Sequence, residues 1–235
     1  MIDTHCHILP GLDDGARTPS DAILMARRLV ECGVRTVVCT PHFSRRYRTT
    51  VQAATRRLVE LRRALTTLGI ELETHLAAEI GPELALLVPT AELTRRSLPG
   101  GFAIVELVAT TPPQFVSAAT QRLAEIGLRP VFAHPERCVA VQERPTILDE
   151  ARAAGALVQV VAASILMQKR NSVTAAAWNL IDSGRADLLA SDAHRPYGTR
   201  LQLGQIGDLV SRRYGASVLE TLMVTNPARL LRPDQ

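Results

Sequence analysis

The stretch Met1-Ile2-Asp3-Thr4-His5-Cys6-His7-Ile8-Leu9-Pro10-Gly11-Leu12-Asp13-Asp14-Gly15 decides how the rest of the chain is read. Ile2–His5 reads as a strand. On an extended strand, residues two apart share a face and lie roughly 6.6 Å apart. His5 and His7 can therefore point the same way and close on one ion, with Cys6 on the opposite face. Two nearby histidines also arise by chance. What separates the readings is whether partner ligands recur at equivalent places downstream.

Working outward, short apolar runs alternate with longer amphipathic ones. Thr18-Pro19 offers an N-cap with proline at the first helical position, opening a helix to about Cys32, and Gly33 stops it. The β-branched run Val34–Thr40 reads as the second strand. Val51–Leu68 has helical spacing and closes at Gly69, and Ile70–Ile80 holds a third strand. Pro82–Leu98 reads as one or two short helices before the turn Pro99-Gly100-Gly101. Further strands are expected at Phe102–Leu107, Arg129–Ala133, Ala156–Val161 and Ala186–Ala190. Helices are expected between them at Pro113–Ile126, Ile147–Ala154 and Val173–Ser183, with a helical tail from Leu201.

This alternation implies an α/β chain of parallel strands joined by right-handed crossovers. Strands apolar on successive residues fit a sheet covered on both faces. Seven βα units without a linker fit one domain, residues 1–235, forming a barrel slightly short of the eightfold type. An open doubly wound sheet is the alternative. Its G-x-G-x-x-G fingerprint is missing, as is a Gly-Lys-Ser/Thr phosphate loop.

Composition narrows the classes. The chain is 46% hydrophobic and 21% charged, the balance of an ordinary soluble globular protein. Its net charge of +4 comes from many arginines and one lysine, Lys169, which permits an anionic substrate but gives no argument for nucleic acid. The longest apolar run, Gly155 to Met167, is interrupted by Gln159 and too short to span a bilayer. Cys6, Cys32, Cys39 and Cys138 form no C-x-x-C pair and no disulfide framework. Asp3 stands where a secretory leader would need a basic start and an apolar run, so a reducing cytoplasm is the expected compartment.

The expected strand ends carry the chemistry. Strand one ends in His5 and His7, with Asp14 in the loop beyond; strand two ends in His42, and strand three in Glu79. Glu106, His134 and the pair Asp192-x-His194 close strands four, five and seven, while strand six offers only Ser164. The C-terminal rim is where parallel barrels build their sites. Five of the six histidines fall there and none falls in a helix. The sixth, His75, lies too deep on its strand to be a ligand. Asp3 shares the face of His5 one layer down and suits a supporting hydrogen bond. Glu136 and Asp13 read as exposed neighbours of ligands. Mixed imidazole and carboxylate donors suit zinc, manganese or iron, and nine of them suit two or three ions.

The series His5-x-His7, Asp14, His42, Glu79, Glu106, His134, Asp192-x-His194 resembles the polymerase and histidinol phosphatase (PHP) superfamily. Within it, Ile2-Asp3-Thr4-His5-Cys6-His7 through Ala16 resembles the manganese-dependent bacterial tyrosine phosphatases of capsule and exopolysaccharide operons, the CpsB/YwqE type. Thr40-Pro41-His42, Ala133-His134-Pro135-Glu136-Arg137, Ser191-Asp192-Ala193-His194 and Thr225-Asn226-Pro227 match that branch too. The resemblance implies a distorted TIM-like (β/α)7 barrel of the PHP type. It implies three ions: one on His5, His7, Glu79 and Asp192, a second on Glu79, Glu106 and His134, and a third on Asp14, His42 and His194. It further implies hydrolysis of a phosphomonoester by water activated between metals, with the phosphotyrosine protein being a bacterial tyrosine kinase. Arg137 and Arg200 are the candidate catalytic phosphate clamps.

The chain departs from that branch where Phe43-Ser44-Arg45-Arg46-Tyr47-Arg48 replaces a second histidine, and where Ala162–Met167 replaces a Gly- and Phe-containing motif. These changes bear on substrate choice and leave the ligands alone. Cys39…Arg45 and Cys138…Arg144 have the C-x5-R spacing of cysteine-dependent phosphatases, but neither loop offers a phosphate cradle. Amidohydrolases that bridge metals with a modified lysine are set aside because Lys169 ends no expected strand. The competing activities are a small-metabolite phosphatase of the histidinol phosphate type and a metal-dependent exonuclease. A docking module for a kinase or polymerase is the non-enzymatic alternative.

Overall fold

In the computed structural model, which describes residues 1–166 and 171–233, parallel strands lie inside a layer of helices. The strands are β1 (Ile2–Cys6), β2 (Thr36–Cys39), β3 (His42–Phe43), β4 (Glu73–Leu76), β5 (Glu79–Ile80), β6 (Phe102–Glu106), β7 (Arg129–Ala133), β8 (Leu157–Val161) and β9 (Leu188–Ala190). They form two sheets, β1-β2-β4 and β3-β5-β6-β7-β8-β9, every neighbouring pair parallel.

Two expected strands are broken, and that is why there are two sheets. The second stops at Cys39 and resumes as β3, because Pro41 has no N–H for the ladder. The third splits between β4 and β5: Ala77 N still bonds Cys39 O at 3.0 Å, but Ala78 N turns away to Arg96 O at 3.1 Å. Strand order is kept across both breaks, so the seven expected staves survive. The outer edges meet where Asp192 N donates to His5 O and His7 N to Ala193 O, both at 2.9 Å, with a parallel bridge between Cys6 and Ala193. The seven-stave, barrel-like order is thus the observed one.

Alternation along the strands separates two apolar layers. On β6, Phe102 and Ile104 join Val38, Val131, Ala133, Leu157 and Leu188 in an interior cluster. Ala103 and Val105 face the larger cluster shared with the helices. Glu106 is the next inward position on β6, so the interior becomes polar only at the C-terminal rim.

Thr18 caps the helix Pro19–Glu31, its hydroxyl accepting from Asp21 N at 3.1 Å, and Ala22, Met25, Ala26 and Leu29 face the core. The helix Val51–Thr67 buries Ala54, Leu58, Leu61 and Leu65. The tail expected to be helical from Leu201 is interrupted at Gly215, whose φ of 91° suits glycine. Its last helix, Asn226–Leu231, closes the lower end of the staves. There Gly100 N donates to Leu230 O at 2.9 Å, and a Cβ on Gly100 would stand 2.2 Å from Arg229 O. Met167, at the end of the longest apolar run, and Lys169 lie outside the described residues.

Candidate metal centre

All nine residues expected as ligands gather at the rim. β1 and the residue after it present His5 and His7, whose Nε2 atoms lie 3.1 Å apart. Glu79 Oε2, at the start of β5, is 3.3 Å from His5 Nε2 and 3.2 Å from His7 Nε2, and Asp192 Oδ1 is 3.6 Å from each. A second group holds Asp14, His42, His194 and also His7: Asp14 Oδ1 lies 3.5 Å from His42 Nε2 and 3.6 Å from His194 Nε2. A third brings His42, Glu79 and Glu106 together, with His42 Nδ1 2.9 Å from Glu79 Oε2. His134 Nε2 reaches the other Glu79 oxygen at 2.7 Å. Compared with the expected partition, His7 also faces the Asp14 group and His42 also faces Glu79.

The residues behind this layer fix which nitrogens point inward. Gln159 Oε1 accepts from His5 Nδ1 at 2.7 Å, and the same amide donates to Thr4 Oγ1 at 2.8 Å. Asp13 Oδ2 accepts from His7 Nδ1 and from His42 N, each at 2.8 Å. With both Nδ1 atoms as donors, both Nε2 atoms turn lone pairs toward Glu79 and each other. Two lone pairs 3.1 Å apart require a proton or a cation between them. Glu79 Oε2 and Asp192 Oδ1 are buried without a hydrogen-bond partner among the described residues. Two imidazoles and two carboxylates converging this way fit a divalent cation of the zinc, manganese or iron type.

The electrostatics agree. Burial works against ionising Glu79 and Asp192, but the facing histidines, joined at Asp192 by Arg137, hold both carboxyls well below the usual range. Burial also opposes charge on His7, yet its hydrogen bond to Asp13 and the adjacent carboxylates of Glu79 and Asp13 prevail and push it up to about 10. In the ion-free protein His7 therefore carries the proton that a cation would replace. Burial and the charge of His7 push His194 down to about 4, leaving its imidazole neutral.

Two expectations are corrected here. Asp13 is not exposed: its side chain is fully buried, held between His7, His42 N and Gly15 N. Glu136 is also fully buried, and its Oε1 accepts from Val161 N at 3.1 Å and Ser164 Oγ at 2.8 Å. Both look like surface acids because Asp-Asp-Gly and Pro-Glu-Arg are turn sequences; what buries them is backbone N–H groups that need an acceptor. Ser164 is thereby a partner of Glu136. Asp3 behaves as expected, accepting from Ser191 N at 2.9 Å and Ser191 Oγ at 2.6 Å one layer below the ligands. His75 stays out of the site, paired with Glu73 at 3.0 Å. In the sequence Gln159 shows only as an interruption of an apolar run. A lone amide in an otherwise apolar strand was the available signal of a buried hydrogen-bonding duty.

The backbone is strained at the rim. His134 (φ 40°) and Asp192 (φ 50°) are the only non-glycine residues with positive φ among the described residues. Such conformations cost about 1–3 kcal/mol and persist where surrounding structure enforces them. Here backbone bonds flank both, His134 N to Gln159 O and Asp192 N to His5 O, each 2.9 Å. The loop carrying Asp13 and Asp14 folds back so tightly that Ala16 N reaches His7 O at 2.9 Å. A Cβ on Gly15 would stand 2.2 Å from that oxygen.

The rim opens into a cleft of about 600 Å³ lined by ligand candidates, Arg137, Arg195, Tyr197 and Arg200. Arg137 Nη2 donates to Asp192 Oδ2 at 2.7 Å, and Arg200 donates to the same oxygen and to Asp192 O. Arg195 is committed to the carbonyls of Asp14 and Gly15. The cysteines make no second site. Cys39 is buried and burial pushes its thiol up to about 12, while Cys138 is buried with Sγ 3.4 Å from Thr111 O.

The model of the family described as capsular polysaccharide synthesis, CpsB/CapC, matches residues 1–232. Tyrosine-protein phosphatase YwqE of Bacillus subtilis is 29% identical over 240 residues, covering 100% of this chain and 92% of its own length. A solved structure from work on YwqE and Streptococcus pneumoniae CpsB, described as metal-dependent tyrosine phosphatases, superposes with a TM-score of 0.86 at 28% identity, covering 100% of this chain and 96% of that one. Histidinol phosphate phosphatase of Lactococcus lactis shares the fold alone, with a TM-score of 0.55 at 11% identity over 91% of this chain and 93% of that one. The chain therefore belongs to the CpsB/CapC family.

Proposed function

We propose that this chain is a metal-dependent protein tyrosine phosphatase acting on a phosphotyrosine protein, namely a bacterial tyrosine kinase of capsule or exopolysaccharide synthesis. The observation that carries the reading is the meeting of the His5 and His7 Nε2 lone pairs with partnerless oxygens of Glu79 and Asp192 beside two arginines. His5, His7, Glu79 and Asp192 would hold one divalent ion, Glu79, Glu106 and His134 a second, and Asp14, His42 and His194 a third. Manganese is the first choice, with iron or zinc able to use the same donors. Bound there, the ions supply an acidified water and neutralise phosphoryl charge.

The chain's own groups do the rest. Arg137 and Arg200 are tethered to Asp192 and line the cleft. Each guanidinium has donors left over, so the pair can grip phosphoryl oxygens while its direction stays fixed. Gln159 and Asp13 keep the histidine lone pairs aimed inward. The leaving group is a phenolate with a conjugate acid near about 10, so it departs without a strong general acid. Four unpaired cysteines suit the reducing cytoplasm, and no described helix is long and apolar enough to cross a membrane. Residues 1–235 act as one barrel domain on this reading.

A hydrolysis panel with added manganese tests it, using phosphotyrosine peptide, histidinol phosphate and single-stranded DNA. Turnover of the phosphotyrosine peptide that stops with chelator is expected. Chelator-resistant turnover would sink the metal mechanism. Preference for histidinol phosphate or DNA would overturn the substrate, and no turnover of any substrate would favour a docking module.

A further inference from the structure

The turn between β3 and the helix Val51–Thr67 carries Arg45, Arg46 and Arg48, all exposed. It is a built structure. Phe43 and Arg48 form an antiparallel bridge, Ser44 N donates to Tyr47 O at 2.8 Å, and Tyr47 N donates to Ser44 Oγ at 3.2 Å. Its base is pinned by Gly81 N donating to Phe43 O at 2.9 Å and by the Arg96 guanidinium 3.7 Å over the Phe43 ring. Tyr47 stacks on His42, ring centroids 5.5 Å apart and planes 10° apart, so the turn is fastened to a residue that lines the cleft. Arg46 lies over Tyr47 at 5.0 Å, and Arg45 and Arg48 have no ion-pair partner among the described residues.

The charges of the other rim arginines are already balanced or held: Arg137 and Arg200 pair with Asp192, and Arg195 donates to backbone carbonyls. The turn therefore presents unneutralised cations on a rigid support next to the reaction cleft. The helix that follows has no acidic residue in its first turn to offset them. Cations so placed draw in anionic groups that neighbour the reacting one.

We propose that the Ser44–Arg48 turn is a subsite that reads acidic side chains flanking the phosphotyrosine of a protein substrate. This rests on the tyrosine phosphatase reading above. Exposed pairs of this kind discriminate modestly, so two flanking acids are worth about tenfold in kcat/KM at low salt, and the preference shrinks as ionic strength rises.

The test compares two phosphotyrosine peptides of equal length, one with Asp or Glu on both sides of the phosphotyrosine and one with Ala. Both are given to the manganese-loaded full chain and to the R45A/R46A/R48A variant, with circular dichroism confirming that the variant is folded. The same peptides bearing a non-hydrolysable phosphonate are followed by fluorescence anisotropy. The expected result is an acidic-to-neutral ratio near ten in the wild type, falling to near one in the variant and at high salt. A ratio near one in the wild type, or one that survives the triple substitution, overturns the subsite. Tighter binding of a single-stranded oligonucleotide than of the acidic phosphonate peptide overturns it too. Failure of turnover with both peptides overturns the phosphatase reading, whereas the anisotropy ratio still decides whether the turn prefers acids.

Discussion

Replacing Gln159 by Leu removes one amide and touches no ligand, yet it should weaken the proposed metal centre. The side chain is 1% exposed and makes two bonds, accepting from His5 Nδ1 at 2.7 Å and donating to Thr4 Oγ1 at 2.8 Å. Each buried bond contributes about 0.5–1.5 kcal/mol, and the apolar surface gained by Leu offsets part of the loss. A net cost of about 1 kcal/mol lowers the melting temperature of the metal-free protein by about 2–4 °C in a chain of this size. The larger effect is on His5. Without an acceptor at Nδ1 its proton can move to Nε2, the atom that faces Glu79 and Asp192. Losing such a partner weakens metal binding about 10- to 100-fold, or about 1.4–2.7 kcal/mol. The assay is calorimetric titration of manganese into chelator-stripped protein, with activity read at limiting and saturating manganese. Excess manganese should restore turnover. Gln159→Glu keeps an acceptor for His5 and should bind within a few-fold of wild type. If Gln159→Leu bound manganese within twofold of wild type, the argument that this amide sets the His5 tautomer would be wrong.

Three further outcomes follow from the same geometry. Gly15→Ala puts a Cβ 2.2 Å from His7 O, so the loop carrying Asp13 and Asp14 must move; a loss of about 1–3 kcal/mol in stability and manganese titrating with fewer ions are expected, and wild-type stoichiometry would contradict this. Because burial pushes the Cys39 thiol up to about 12, it is not a thiolate at pH 8; Cys39→Ser should remain active and iodoacetamide should not inactivate the wild type, while loss of activity in both would revive a cysteine nucleophile. The pH dependence has two opposite signs. His7 is held up at about 10 in the ion-free protein, against about 6.5 when unfolded. Its contribution to stability is complete below pH 6.5 and is lost as pH rises toward 10, so the metal-free melting temperature should fall over that window. Manganese must displace the same proton, so affinity should rise up to about tenfold per pH unit; a pH-independent affinity between pH 6.5 and 8 would refute it.

Much of this was legible in the sequence. The expected ligands sit on strand ends, and a period-two strand in a parallel chain fixes both the face and the end of the ring that they occupy. His5, His7 and Asp192-x-His194 are readable for that reason. The breaks that divide β2 from β3 and β4 from β5 were not read. Pro41 was a visible cause of the first, but the bond from Ala78 N to Arg96 O is a tertiary event. Burial of Asp13 and Glu136 was misread because turn composition says nothing about which backbone donors a folded loop must satisfy. The arginine tethers on Asp192 needed three dimensions, since Arg137 and Arg200 approach that carboxylate from 55 and 8 residues away.

The seam between β1 and the end of β9 has a consequence for how the protein is made. His5 and His7 leave the ribosome before Asp192, which is bonded through its N–H to His5 O and is the last of the inner carboxylates to be synthesised. A nascent chain shorter than this can bind an ion only through a fragment of its donor set. The inner site closes the long loop that runs from His5 to Asp192, the kind of closure whose entropic cost rises only slowly with length. An ion that binds the joined ends and not the open chain raises the free energy of global opening. Metal supply during synthesis would then act on the yield of folded protein as well as on its turnover.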